Sequence, residues 1–239
     1  AQVPDEHQPW VLDQFAGVKP PQHLFGLIND TLATNGLVID IAPQVDLKHP
    51  IHIIQTMTAG NEAHCRTLVR VGAGAKVTVI EHLTGDQESF NTSFTEYSLA
   101  TKAELEHYRL ALQSDAALTI GGSHIHRYAQ KTSAELNNRN LLLSRDAEVD
   151  VKPELEIYAD DVSCAHGATI AEIDPAALYY LRSRGIGLDQ AHLMLNFGFI
   201  NELIDQIPNA VLADWLRQQL SGRFTRMNTI KHSGQEMAQ

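Results

Sequence analysis

Cys164 and His166 stand two residues apart in the run Asp160-Asp161-Val162-Ser163-Cys164-Ala165-His166-Gly167. On an extended backbone Asp160, Val162, Cys164 and His166 point to one face, while Asp161, Ser163, Ala165 and Gly167 point to the other. A thiol beside an imidazole is a soft ligand pair suited to iron, zinc or an iron–sulfur species. Two ligands fall short of the four that close a site, so the pair needs help from elsewhere. The plainer reading of the same residues is a half-buried cysteine and a surface histidine. Asp160 and Asp161 point to opposite faces, which spoils a shared-proton dyad and leaves a solvated corner.

A second constellation is Gly121-Gly122-Ser123-His124-Ile125-His126, with Glu135 downstream. His124 and His126 would share a strand face and could bind a divalent ion with Glu135 or His82, in loose imitation of a cupin metal motif. Against that stands a pair of exposed corner histidines with incidental metal affinity. Other chemistry has no carrier here. There is no Gly-x-x-x-x-Gly-Lys-Ser/Thr loop, and Gly72-Ala73-Gly74-Ala75-Lys76 is too short to be one, so the chain should not hydrolyse nucleotide. Neither a dinucleotide-binding glycine motif nor a Gly-x-Ser-x-Gly elbow occurs, and a self-contained enzyme is not supported.

The elements that must position these residues are short strands. Val149 and Val151, then Leu155 and Ile157, alternate with polar residues, and Pro153 divides the run. Leu37–Ile41, Ile51–Ile54, Thr67–Val71 and Val77–Glu81 read the same way, separated by Pro43, Pro50 and Gly72-Ala73-Gly74-Ala75. Ala75-Lys76-Val77, Ala103-Glu104-Leu105 and Ala147-Glu148-Val149 repeat a small, a charged and an aliphatic residue, at separations of 28 and then 44. Such a loose repeat fits stacked coils that share one core, and it also fits an antiparallel sandwich or jelly roll.

Residues 1–36 read as a lead-in, with prolines among acidic residues up to position 22, a short helix from Leu24 and a turn at Asn35-Gly36. After Thr169 the period becomes helical. Asp174-Pro175 caps a helix that Gly185 closes, and Asp189 caps a second carrying Leu193, Phe197, Ile200, Ile204 and Ile207. Pro208 and Asn209 begin a third with Leu212, Trp215, Leu216 and Leu220 on one side. Leu195, Phe199 and Leu203 give the second helix another apolar side, which suggests a partner surface. Residues 223–239 are polar and read as disordered.

Composition narrows the partners. The chain has 239 residues, 44% of them hydrophobic, enough for a proper core. A formal charge of −11 with no basic block argues against nucleic acid or anionic membrane. Cys65 and Cys164 show no paired spacing, and no apolar run reaches membrane length, so a cytoplasmic location is expected.

The run Ala147–Val162, then Cys164-Ala165-His166-Gly167-Ala168-Thr169 and Tyr180-Leu181-Arg182-Ser183-Arg184-Gly185-Ile186, resembles the C-terminal signature of the SufB/SufD family of iron–sulfur cluster assembly scaffold proteins. Gly167 after the histidine favours the SufD branch. The resemblance covers roughly residues 37–118 and, more closely, 128–220. Against the family pattern the chain reads as shortened, without a helical N-terminal domain and without several coils between segments like 108–118 and 128–140.

The resemblance implies a mainly β fold: a right-handed parallel β-helix over residues 37–173 with an α-helical module over 174–222. It implies a non-catalytic subunit of a SufBCD complex, partnered by a SufB-like paralogue and a SufC-like ABC ATPase. His166, with Cys164 beside it, would sit at the SufB interface and handle a transient iron–sulfur cluster. SufC would dock on the helical module, at Tyr179, Tyr180, Arg182, Arg184, Phe197, Ile200 and Ile204. No tightly bound cofactor is expected, and ATP would enter only through SufC. The rival readings are the cupin-like metal enzyme and an architectural protein that self-associates, as a homodimer when alone, through its coil ends.

Overall fold

The alternation of side chains between residues 35 and 127 folds into strands, some buried on one face and the central ones of the first sheet on both. The computed structural model describes residues 8–17, 23–56, 62–85, 88–113, 116–127, 132–142, 162–207 and 209–222. Its first strands are β1 Asn35–Ile41, β2 Ile51–Thr56, β3 Glu62–Val71, β4 Lys76–Gly85, β5 Ser89–Leu99, β6 Glu104–Gln113 and β7 Ala117–Arg127. Odd-numbered strands form one sheet in the order β1-β3-β5-β7, and even-numbered strands another in the order β2-β4-β6. Both are parallel throughout. A further pair, β8 Thr132–Leu142 and β9 Val162–Glu172, makes a two-stranded sheet.

The spacing of 28 seen in the sequence is the pairing register. Ile51 pairs with Val79, Glu62 with Phe90, Lys76 with Glu104 and Ser89 with Ala117, each 28 residues on. Ala75 and Ala103 are buried, and Lys76 Nζ reaches Glu104 at 2.7 Å. The third member of the repeat, Ala147-Glu148-Val149, lies outside the described residues.

Successive corners stack as well. Gln44, Gly74 and Lys102 all have positive φ, at 63°, 67° and 59°. Gln44 N donates to Ala73 O at 2.9 Å and Gly74 N to Thr101 O at 3.0 Å. A Cβ at Gly74 would meet only the movable end of the Gln44 side chain, so it is φ that favours glycine there.

Odd-numbered residues of the strands face the space between the two sheets. There Ile41, Ile53, Val69, Val71, Val77, Val79, Tyr97 and Leu99 form the core. The even-numbered face of the first sheet meets helix α2 Leu24–Leu32, which lies against β3, β5 and β7. Only Gly26 and Asn29 of α2 are buried. Asn29 Nδ2 donates to Thr92 Oγ1 at 2.8 Å, Cys65 O at 3.1 Å and Thr92 O at 3.2 Å.

Beyond β9, α3 Pro175–Ser183 is capped by Asp174 Oδ1, which accepts from Ala176 N at 2.8 Å. Gly185, at φ 85°, ends it. α4 Leu188–Ile204 follows, then a helix over 210–222 whose start is held by Asn209 Oδ1, accepting from Leu212 N at 3.1 Å. Leu212, Leu216 and Leu220 are the buried stripe of that last helix. The chain divides into two compact units, residues 1–135 with 155–165, and residues 136–154 with 166–239.

Several expectations are corrected. The mainly β, right-handed parallel β-helix is not indicated: the chain is α/β, with parallel sheets accompanied by α-helices at both ends of the described sequence. The helical share exceeds that expectation because residues 8–17 form α1 Gln8–Gly17 where a loose lead-in was expected. Trp10 of α1 lies under the Arg70 guanidinium, 4.8 Å from the ring centre. Asn35-Gly36 opens β1 instead of making a turn, because both residues pair with Cys65 and Arg66 of β3. Asp189 lies within the first turn of α4, whose N-cap is Gly187. The strands expected over 149–157, the acidic pair Asp160 and Asp161, and the tail 223–239 lie outside the described residues.

Candidate functional site

β9 gives the Cys164-Ala165-His166 segment the extended backbone that its spacing required. The side chains of Cys164 and His166 lie outside what the structure describes, as does that of Glu135 on β8. β9 leads through Asp174 into α3, so the segment is followed at once by the first helix of the C-terminal region.

On α3, Tyr179 is 75% exposed and Tyr180 58% exposed. Arg182 and Arg184 are exposed too, and the Arg184 guanidinium stands 5.1 Å from the centre of the Tyr180 ring. Exposed tyrosines with arginines are the residue types that dominate protein interfaces. On α4 only Ala191 and Ile204 are buried. Phe197 and Ile200 are half-buried, as are Leu193, Leu195, Phe199 and Leu203, so the two-sided apolar pattern remains partly open to solvent. No described helix is long and apolar enough to cross a membrane.

His124 and His126 share strand β7, as expected, but His82 is separated from them by the fold. His124 and His126 occupy the middle and end of β7, not a corner. The His124 ring stacks on Phe94 at 6.1 Å and meets His23 edge-on at 5.4 Å. His82 belongs to β4 in the other sheet and stacks on His52 at 5.7 Å. Among the described residues no three His, Cys, Asp or Glu side chains are grouped to hold a metal ion.

The densest ionisable cluster went unnoticed in the sequence. Glu81 on β4 is 1% exposed and faces the core. Its Oε1 accepts from Tyr97 Oη of β5 at 2.9 Å and lies 2.9 Å from His107 Nε2 of β6. Arg109 Nη1 stands 3.7 Å from Glu81 Oε2, while Arg109 Nη2 donates to Ser93 O at 2.9 Å. Burial alone would raise the Glu81 pKa. The His107 hydrogen bond, the Arg109 charge and the Tyr97 hydroxyl outweigh it and bring the carboxyl down to about 2. Burial and the Glu81 charge push the Tyr97 hydroxyl far up, so it remains a donor. The sequence signal was a glutamate in the odd-numbered series Val77, Val79, Glu81, Leu83, where an aliphatic residue would otherwise stand.

A second buried set holds α2 to its sheet. Arg66 of β3 reaches Asp30 Oδ1 at 3.0 Å, Asn29 Oδ1 at 3.3 Å and the carboxylate of Glu96 on β5. Burial lowers the Arg66 pKa, against the opposing charge of Asp30. The Cys65 thiol is half-buried on β3, and burial raises its pKa, which keeps it protonated.

Comparison with known proteins decides the family. Residues 53–126 and 117–199 match the model described as SUF system FeS cluster assembly, SufBD core domain. The chain belongs to the SufB/SufD family. It is 34% identical over 212 residues to an iron–sulfur cluster assembly SufBD family protein of Synechocystis, covering 80% of this chain and 47% of that protein. It is 41% identical over 118 residues to the iron–sulfur cluster assembly protein SufD of Escherichia coli, covering 49% of this chain and 27% of that one. SufD of Bacillus subtilis is 33% identical over 125 residues, 52% of this chain and 29% of that protein. The chain is thus SufD-like and spans less than half the length of these relatives. The two matched stretches overlap over residues 117–126, which is β7 almost entire and lies between the two stretches of resemblance, 37–118 and 128–220.

Proposed function

We propose that this chain is a SufD-like, non-catalytic scaffold subunit that assists assembly and transfer of nascent iron–sulfur clusters together with a SufB-like paralogue and a SufC-like ATPase. The observation that carries this reading is the SufBD core match, which runs through β9 and α3 to residue 199 and so contains Cys164, His166 and the exposed face of α3. The cluster is cargo. His166, as a neutral imidazole, would be a ligand to iron and Cys164 an auxiliary one. Ligands drawn from two chains make the site dependent on the arrangement of the complex, which ATP hydrolysis by SufC can change.

Tyr179, Tyr180, Arg182 and Arg184 on α3, with Phe197, Ile200 and Ile204 on α4, are the proposed SufC-docking residues. The open tyrosines and the incompletely buried α4 support that choice, because an apolar face left open is a partner surface. Co-expression with the SufB-like and SufC-like proteins of the same source tests the proposal. The chain is expected to co-elute with both on size exclusion, and elution of the chain alone would overturn it.

A further inference from the structure

The space between the two parallel sheets changes character along the strands. Toward the C-terminal ends of β3 and β5 the paired residues are Val69 with Tyr97 and Val71 with Leu99, all in the apolar core. Two and four residues earlier the rungs read Thr67, Thr95, Ser123 and Cys65, Ser93, Gly121. Glu81 pairs with Arg109 on the opposite sheet. Small side chains therefore face a long ion pair where the other end packs aliphatic against aliphatic.

Polar atoms in this half that are buried without a hydrogen-bond partner among the described residues include Ser93 Oγ, Thr95 Oγ1, Ser123 Oγ, Arg109 Nη1 and Glu81 Oε2. Ser93 and Thr95 are fully buried residues, as is Glu81. Buried polar groups in folded proteins are almost always hydrogen-bonded, to protein or to ordered water. The 3.7 Å between Arg109 Nη1 and Glu81 Oε2 is too long for a direct hydrogen bond and suits a bridge through one water. Gly121 fixes the guanidinium. A Cβ there would lie 2.8 Å from Arg109 Nη2 and run into Ser93 O, so only glycine leaves Nη2 its bond to that carbonyl.

We infer that this half of the interior holds a cluster of ordered water that bridges Arg109 Nη1 to Glu81 Oε2 and satisfies the hydroxyls of Ser93, Thr95 and Ser123. The donor set selects water over an ion. An anion would face the Glu81 carboxylate and a cation the Arg109 guanidinium, whereas water donates to one, accepts from the other and does both with the hydroxyls. The Gly121-Gly122-Ser123 run then borders this water at the edge of the sheet, and is not part of a metal motif.

Removing hydroxyls separates a wet interior from a dry one. In a Ser93→Ala/Thr95→Val variant of the full chain, water-bonded hydroxyls are lost in the wet case, and the thermal midpoint is expected to fall by about 4 °C. In a dry interior the same change deletes orphaned groups, and an unchanged or raised midpoint would overturn the inference. A measurement on the unaltered chain covers the case in which the variant does not fold. Water–amide cross-relaxation of the sign of long-lived water is expected at the amides of Ser93, Thr95 and Ser123, and its absence would equally overturn the inference.

Discussion

Tyr97 of one sheet donates its hydroxyl to Glu81 Oε1 of the other at 2.9 Å, where the apolar core of the interior meets its polar half. The return tie is Arg109 Nη2 to Ser93 O at 2.9 Å. Two parallel sheets packed only through aliphatic contacts can slide by small amounts. These bonds fix their register, since a buried donor or acceptor that loses its partner carries the full cost of its desolvation.

Acid should therefore weaken the fold in a window set by Glu81. Its carboxyl is depressed from an ordinary 4.5 to about 2, so its contribution is fully present above pH 4.5 and is lost as pH falls toward 2. A shift of that size corresponds to roughly 3 kcal/mol. Glu81→Gln should cost about 3 kcal/mol at neutral pH by leaving Arg109 without its counter-charge. Urea unfolding at several pH values checks both: wild type and variant should converge as pH approaches 2. A gap between them that stays constant would show that Glu81 is not ionised in the native state.

The stacked corners make a second prediction, of opposite sign at neighbouring positions. Gly74→Ala should lower stability by about 1–2 kcal/mol, since φ is 67° and the new methyl would meet the Gln44 side chain. Lys102→Gly, at φ 59° on the next corner, should be neutral or slightly stabilising. Thermal unfolding of the two variants side by side decides it, and equal losses at both would contradict the corner geometry.

Much of the local structure was legible in the sequence because it is dictated locally. Asp174-Pro175 predicted the start of α3 and Asn209 the start of the last helix, while the 28-residue spacing of Ala75 and Ala103 acquired its meaning, the register of β4 on β6, only in the fold. What could not be read depended on long-range contacts. Gly121-Gly122 looked like a corner because glycine weakens strands, yet Gly121 lies within β7, where Arg109 and Ser93 O leave no room for a side chain. Asn29 was one residue of the expected short helix from Leu24, and its burial as the anchor of α2, bonded to Cys65 and Thr92 far along the chain, could not be read from its neighbours. The α/β character was hidden because the family resemblance spoke for the strands and said little of α1 and α2. Cys164 and His166 were found through spacing and resemblance together; β9 bears out the extended backbone, and their role remains the proposal made above.

The central claim, that this chain serves cluster assembly through His166, is tested most directly by cluster yield in the co-purified complex. Wild type and His166→Ala chains would each be co-expressed with the SufB-like and SufC-like partners, matched for co-elution, and supplied with iron and a sulfur donor under anaerobic conditions. Iron–sulfur absorbance should form with the wild type and fall at least tenfold with His166→Ala, while co-elution is unchanged. Equal cluster yield from the two complexes would contradict the account.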